Sequence, residues 1–186
     1  FGGLRLEDAT LAATLDGPLR DLAVDHTLEI GELTSGVTRI TDLRQQGTAR
    51  YDGVRWTIPF DARLARVATG NDLLDPRLVN GTVRGTALLN GQRLTAENLA
   101  LRFPTTSAEV AVQGDLSRGL FGIAGDVRAS QVAFDDIGRA SGAARIRATI
   151  APGTWQVRAD LDARVAPVTN ATLANLVGEP IRLRGG

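Results

Sequence analysis

Between Trp56 and Leu64 the chain alternates strictly, with Trp56, Ile58, Phe60, Ala62 and Leu64 on one side and Thr57, Pro59, Asp61 and Arg63 on the other. No face of a 3.6-residue helix collects those positions, so the segment is an extended strand. A second run repeats the pattern: Trp155, Val157, Ala159, Leu161, Ala163 and Val165 oppose Gln156, Arg158, Asp160, Asp162 and Arg164. One side leaves water and the other is charged at most positions. That division suits an antiparallel sheet solvated on one face, and it argues against a parallel sheet sealed on both faces by helices.

The two runs belong to an internal repeat. The stretch from Gly47 to Gly85 returns from Gly142 to Gly185, with Trp56 matching Trp155, Phe60-Asp61-Ala62-Arg63-Leu64 matching Leu161-Asp162-Ala163-Arg164-Val165, and Val83-Arg84-Gly85 matching Leu183-Arg184-Gly185. The period spans several strands and is too long for one solenoid rung, so each copy is expected to be a set of smaller pieces. The whole chain, 1–186, reads as one repetitive region. Phe1 at the start and Gly pairs near both ends lead to the expectation of a piece of a longer protein.

Composition narrows the function classes. The formal charge is zero, with 21 basic and 21 acidic residues interleaved along the strands, which argues against the one-sided basic footprint of a nucleic-acid reader. There is no Cys, which excludes disulfides and thiolate metal sites. No apolar run approaches transmembrane length and no signal peptide is visible. Gly supplies 21 residues, against 2 Trp, 1 Tyr and 5 Phe. A sheet lined mainly by Leu, Val and Ala can curve closely or accept something pliable, whereas a conventional sandwich core draws more on aromatics.

In chain order, an alternating run from Leu4 to Leu15 ends at Asp16-Gly17-Pro18. The next strand presents Leu22, Val24, His26, Leu28 and Ile30 on one face. Asp52-Gly53 reads as a tight hairpin turn, and Asn90-Gly91 as a two-residue one. Pro59 removes a ladder donor, which places its strand at an edge or at a bulge. Asn71 to Val79 reads as a helical turn capped by Asn71 or Asp72 and limited by Pro76; Asn170 to Gly178 reads as a short helix with Leu173, Leu176 and Val177 on one face. Further strands are expected at Val83 to Leu89 with an interruption at Gly85, Leu99 to Phe103, Glu109 to Leu116, Phe121 to Ala129, Gly142 to Ile150 and Ile181 to Arg184.

Candidate chemistry is sparse. His26, the single His, sits on the apolar face without an acidic or thiol cluster and reads as structural or as a polar spot facing the groove. Asp42, Glu97 and Asp136 recur at matching points of the similar segments 36–43, 92–99 and 131–138. Recurrence favours turn or strand-edge residues, because a catalytic pair needs unlike surroundings that split its pKa values. There is no serine elbow, phosphate-cradling loop or HExxH, and the glycines of 119–125 lie in a strand pattern. No enzyme, catalytic residue, metal ligand or cofactor is expected. Asn80-Gly-Thr82 and Asn170-Ala-Thr172 fit the glycosylation triplet, a pattern common by chance.

An apolar sheet face must be covered by a second sheet, a helix, another protein or a nonpolar ligand. Sandwich packing is one solution. The other is an all-β, elongated, curled, antiparallel-dominated sheet whose hydrophobic concave interior is a groove for acyl chains, with at most one or two short helical turns. Its candidate lining is Val24, Leu28, Ile30, Trp56, Ile58, Phe60, Leu64, Val110, Val112, Phe121, Ile123, Val127, Trp155, Val157, Leu161 and Val165.

The phrases LDGPLRDLAVDHTLE (15–29), GTARYDGVRWTIPFDARLARVATGNDLLDPRL (47–78), ENLALRFP (97–104) and NATLANLVG (170–178) resemble the repetitive periplasmic region of alphaproteobacterial TamB-type translocation and assembly proteins, within the AsmA-like group. The resemblance covers nearly the whole chain. It implies a periplasmic bridge of a Gram-negative envelope, anchored in the inner membrane by a helix outside this chain and built as a curled β-sheet with an apolar interior. It also implies phospholipid transport between the inner and outer membranes, and an Omp85-type partner reached through other regions. It carries over no catalytic residue. Three functions follow as expectations: a lipid-conducting segment, a scaffold for nascent outer-membrane strands, or a structural surface repeat.

Overall fold

The computed structural model of the chain describes residues 4–72, 74–134, 137–152, 154–177 and 180–186, and the side chains of all of these except Leu4, Trp155, Leu173, Ala174 and Val177. Eleven strands form one antiparallel sheet in which spatial order equals sequence order. They are β1 Leu4–Asp16, β2 Leu22–Ser35, β3 Thr38–Tyr51, β4 Arg55–Ala68, β5 Val79–Asn90, β6 Arg93–Arg102, β7 Thr106–Asp115, β8 Leu120–Phe134, β9 Gly138–Ala151, β10 Thr154–Val168 and β11 Ile181–Gly185. A 3₁₀ turn, η1 (Asp75–Arg77), interrupts the β4–β5 connection, and a helix, α1 (Ala171–Val177), interrupts that between β10 and β11. The first repeat copy thus runs through β3, β4, η1 and β5, and the second through β9, β10, α1 and β11.

The sheet is open and curled, and among the described residues no second layer faces it: substantial packing of one strand on another is confined to sequence neighbours. A compact monomer of this mass would expose about 8,600 Å². This chain exposes 12584 Å², nearly half as much again, because the second face of a sandwich is missing. Buried apolar residues are small or mid-sized: Ile30, Ala49, Ala62, Leu64, Ala87, Ala96, Val110, Val132 and Val165. In a single layer they lose solvent only to neighbours crowding the concave side. At ~3.3 Å per residue and ~4.8 Å between strands, the sheet is roughly 45 Å long and roughly 50 Å around its curl.

Several expectations are corrected in detail. β4 lies inside the sheet between β3 and β5, so Pro59 is neither at an edge nor at a register shift. The turn after β5 has Gly91 and Gln92 at its centre, one residue later than expected, with Asn90 paired to Arg93 and Gly91 at φ 57. A positive φ at the first central position is the type II′ requirement, which glycine meets without steric cost. Leu116 lies in the β7–β8 turn, where its N–H donates to Gln92 O at 2.8 Å. Leu176 of α1 is 75% exposed rather than packed; Leu173 and Val177 lie outside the described side chains, and Gly178 outside the described residues. Asn71 Oδ1 accepts from Leu74 N at 3.2 Å, but this bond closes the turn before η1, whose own N-cap, Leu74, has no side-chain cap hydrogen bond.

Of the recurring acids, Asp42 and Glu97 lie within interior strands, β3 and β6, rather than in turns or at a sheet edge. Asp8 and Asp42 lie mid-strand with φ of 52° and 51°, as do Asn80 at 51° and Gln131 at 53°. Asp and Asn tolerate this left-handed region better than most residues. Each such residue resets the alternation. Leu6, Leu33, Ile40 and Val67 form one cross-strand row beyond the break, an odd number of residues from Leu11, Leu28, Leu43 and Ala62. Glu97 lies where the β6–β7 register shifts between Ala96 and Leu99, and Asp136 is outside the described residues.

Candidate functional site

The registers join the inward positions into rows across the sheet. One row reads Leu11, Leu28, Gln45, Ala62, Val83, Leu101, Ala108, Val127, Ala144 and Leu161 from β1 to β10, each residue paired with the next. Another reads Leu22, Tyr51, Trp56, Leu89, Leu94, Gly114, Phe121, Ile150 and Trp155, linking the equivalent tryptophan positions of the two repeat copies. A third joins Ala96, Val112, Ile123, Ala148 and Val157. No formal charge occurs in any of them.

Glycines seat the larger side chains. A Cβ on Gly81 would stand 2.5 Å from the Phe103 ring and 3.0 Å from Leu64, and one on Gly114 would strike the Phe121 ring lying across it. Large side chains thus lie flat along the face instead of standing off it, which lets the sheet curl closely. Near the turns after β3 and β5, Tyr51 and Trp56 stack with centroids 5.1 Å apart and planes at 30°.

The polar exception is a short chain of hydrogen bonds. Pro59 offers no N–H to β3, and the β3–β4 pairing is interrupted between Gln46/Asp61 and Arg50/Thr57. Gln45 fills the gap: its Nε2 donates to Pro59 O at 3.1 Å while its Oε1 lies 2.9 Å from His26 Nε2. With the amide so oriented, His26 Nε2 is the donor. Gln45 is only 8% exposed, and every buried side-chain polar atom among the described residues has a partner. His26 is therefore structural, and Gln45 is the inward residue that sequence reasoning missed. Its only sequence signal was a glutamine in register with Leu28 and Ala62.

The opposite face carries the charge. Cross-strand pairs Arg39–Glu32, Arg44–Glu29, Arg84–Asp61, Arg145–Asp126 and Arg184–Asp162 lie at 3.3 to 3.7 Å. Exposed pairs of this kind add little stability each, but they oppose register slips that would bring charge inward. Three aspartates organise turns. Asp52 is held below the usual carboxylate range chiefly by the Arg55 N–H, Asp75 by the Thr69 N–H, and Asp115 by the Ser117 hydroxyl.

The expected lining residues fall on one face by register, under unequal cover. Ile30, Leu64, Val110 and Val165 are buried, and Val24, Leu28, Trp56, Ile58, Phe60, Val112, Phe121, Ile123 and Val127 are half-buried. Val157 is 51% exposed because β11 pairs only with Leu161–Val165 and leaves the rest of β10 as an edge, and Leu161 is 44% exposed opposite Gly185, which brings no side chain to cover it. The Trp155 side chain lies outside the described set. Among the described residues no group of three or more His, Cys, Asp or Glu side chains is arranged to hold a metal.

Comparison of the chain with protein-family models, with curated proteins and with solved structures finds no match. Chemically, a continuous uncharged concave strip backed by a charged convex face can shield a nonpolar ligand from water.

Proposed function

We propose that the chain is a segment of a TamB-type, AsmA-like periplasmic bridge that carries phospholipids between the inner and outer membranes, with acyl chains lying along its concave face. The observation that carries this reading is the unbroken uncharged row from Leu11 to Leu161, left open rather than covered by a second layer. Each CH₂ lying there gains about 0.8 kcal/mol from leaving water. In this reading the parent is anchored in the inner membrane by a segment outside the chain, and an Omp85-type partner docks elsewhere.

The test is site-specific photocrosslinking in cells at Ile58, Ile123 and Val157, with outward Thr57 and Arg158 as controls. Phospholipid adducts at the three inward positions alone are expected. Absence of any inward adduct, in a protein shown to be expressed and folded, would overturn the reading. A second reading, a scaffold for nascent outer-membrane strands, is favoured by the free edges of β1 and β11, which offer backbone groups for strand addition. Protein adducts without lipid would select it.

A further inference from the structure

The β4–β5 connection does more than join two strands. It reaches past the β6–β7 turn to the end of β8, where the Arg77 guanidinium donates to the Ala133 carbonyl and lies over the Phe134 ring, 4.7 Å from its centroid. Beside it is a cavity of about 590 Å³ whose border includes the polar Asp72, Arg77 and Gln131 and the apolar Val132, Phe134 and Ile137. Val132, at 6% exposure, pairs with Ala140, which pairs with Val165, so the cavity opens onto the apolar face.

The connection is braced within itself. The Asp75 carboxylate accepts from Thr69 N at 2.7 Å, Thr69 Oγ1 at 2.8 Å and Gly70 N at 3.2 Å, and Val67 N donates to Leu78 O at 2.8 Å. At Ala133 and Phe134 the strap meets a backbone carbonyl and an aromatic ring. Strap and α1 lie at the same end of the sheet, whereas the other end has only short turns.

We propose that residues 69–78 form a strap closing one end of the groove over a terminal chamber, and that release of Arg77 from Ala133 and Phe134 opens this chamber to the end of an acyl chain. The occupant rests on the lipid reading above; the closure rests on the strap geometry alone. The apolar end of the ligand is the part received, because Asp72 and Asp75 outnumber Arg77 in the strap and disfavour a phosphate head.

The absence of native Cys makes thiol labelling clean. A single Val132→Cys is expected to react with a maleimide at least tenfold faster when combined with Arg77→Gln, while Val110→Cys on central β7 reacts at one rate in both backgrounds. If Val132→Cys does not fold, Ile137→Cys serves in its place. In parallel, Arg77→Gln should speed both uptake and release of a fluorescent-acyl phospholipid from phosphatidylethanolamine/phosphatidylglycerol vesicles about tenfold. Equal labelling in the two backgrounds overturns the strap. Faster labelling with lipid bound but exchange unchanged overturns the chamber as an entry point. Faster labelling with no lipid bound by either protein overturns the lipid reading, and with it the chamber's occupant, while the latch stands.

Discussion

His26 Nε2 lies 2.9 Å from Gln45 Oε1, and through that amide the single histidine is tied to the carbonyl of Pro59 on the next strand. A polar chain on an otherwise apolar face is retained here because the proline left a gap in the ladder. Gln45→Ala orphans both the Pro59 carbonyl and the His26 donor. Losing partners at a buried site costs about 1–3 kcal/mol, so urea unfolding should show a loss of that size, against almost none for the exposed Gln46→Ala. A double-mutant cycle with His26→Phe should show coupling; strict additivity would mean that the contact does nothing for stability.

Glycine seats should resist filling. Gly114→Val places a branched side chain where the Phe121 ring lies, and overpacking of this sort costs about 1–3 kcal/mol. Small-angle scattering should also detect a flatter sheet. Gly122→Val, where an added Cβ meets nothing within 4 Å, is the matched control; equal costs for the two would discount the seating.

Acid should loosen the turns before the strands. Asp52, Asp75 and Asp115 have folded pKa values depressed by hydrogen bonds to Arg55 N–H, Thr69 N–H and the Ser117 hydroxyl. Their contribution is therefore fully present above the unfolded carboxyl value of about 3.9 and is lost as pH falls through the lower folded values. Hydrogen exchange at Thr69, Gly70, Arg55 and Ser117 amides should rise below about pH 4 once corrected for intrinsic rates. Asp75→Asn should remove most of that response at Thr69 and Gly70, and a pH response unchanged by the substitution would reject the assignment.

An inward charge should block a lipid path that an outward one leaves intact. Ile123→Asp brings a hydrated carboxylate into the row of Val112 and Ala148, whereas Thr57→Asp lies on the charged face. In the full-length parent, transfer should fall at least tenfold for the first and less than twofold for the second, as measured by phospholipid movement between membranes in variants matched for expression. Equal transfer would count against a groove path.

The two sheet edges should associate. β1 is a long free edge whose Leu6, Leu11 and Leu15 are 50%, 67% and 65% exposed, and such edges pair with other chains. Light scattering should reveal concentration-dependent dimers or stacks, reduced by Leu11→Lys, which turns a charge inward on the edge strand. A monomer at every concentration would be the contrary result.

Much of this architecture was legible because a single-layer sheet leaves its pattern uncompromised. The alternations of β4 and β10, the hairpin after Tyr51 and the helical turn after Asn71 were all readable from local chemistry, since period-two burial and turn preferences act within a few residues; the interruption expected at Gly85 is only a register shift toward β6, in a strand that runs unbroken from Val79 to Asn90. β3 was not read as one strand: its inward set includes Gln45 and Gly47, and Asp42 shifts the phase midway, so no simple periodicity remains. Asp42 looked like a turn or strand-edge residue because it recurs at a matching point of similar segments; only the structure revealed it as a reset of alternation inside a strand. Pairing decided the rest. Pro59 is tolerated in an interior strand because Gln45, 14 residues away in sequence and on the neighbouring strand, reaches its carbonyl, and Arg77 meets Phe134 across a sequence distance that local pattern cannot encode. The sequence by itself determined that one face avoids water and the other holds charge, a property each strand carries alone; the tertiary structure decided that the face stays open, because whether a sheet curls on itself or pairs with a second layer depends on how all eleven strands twist together.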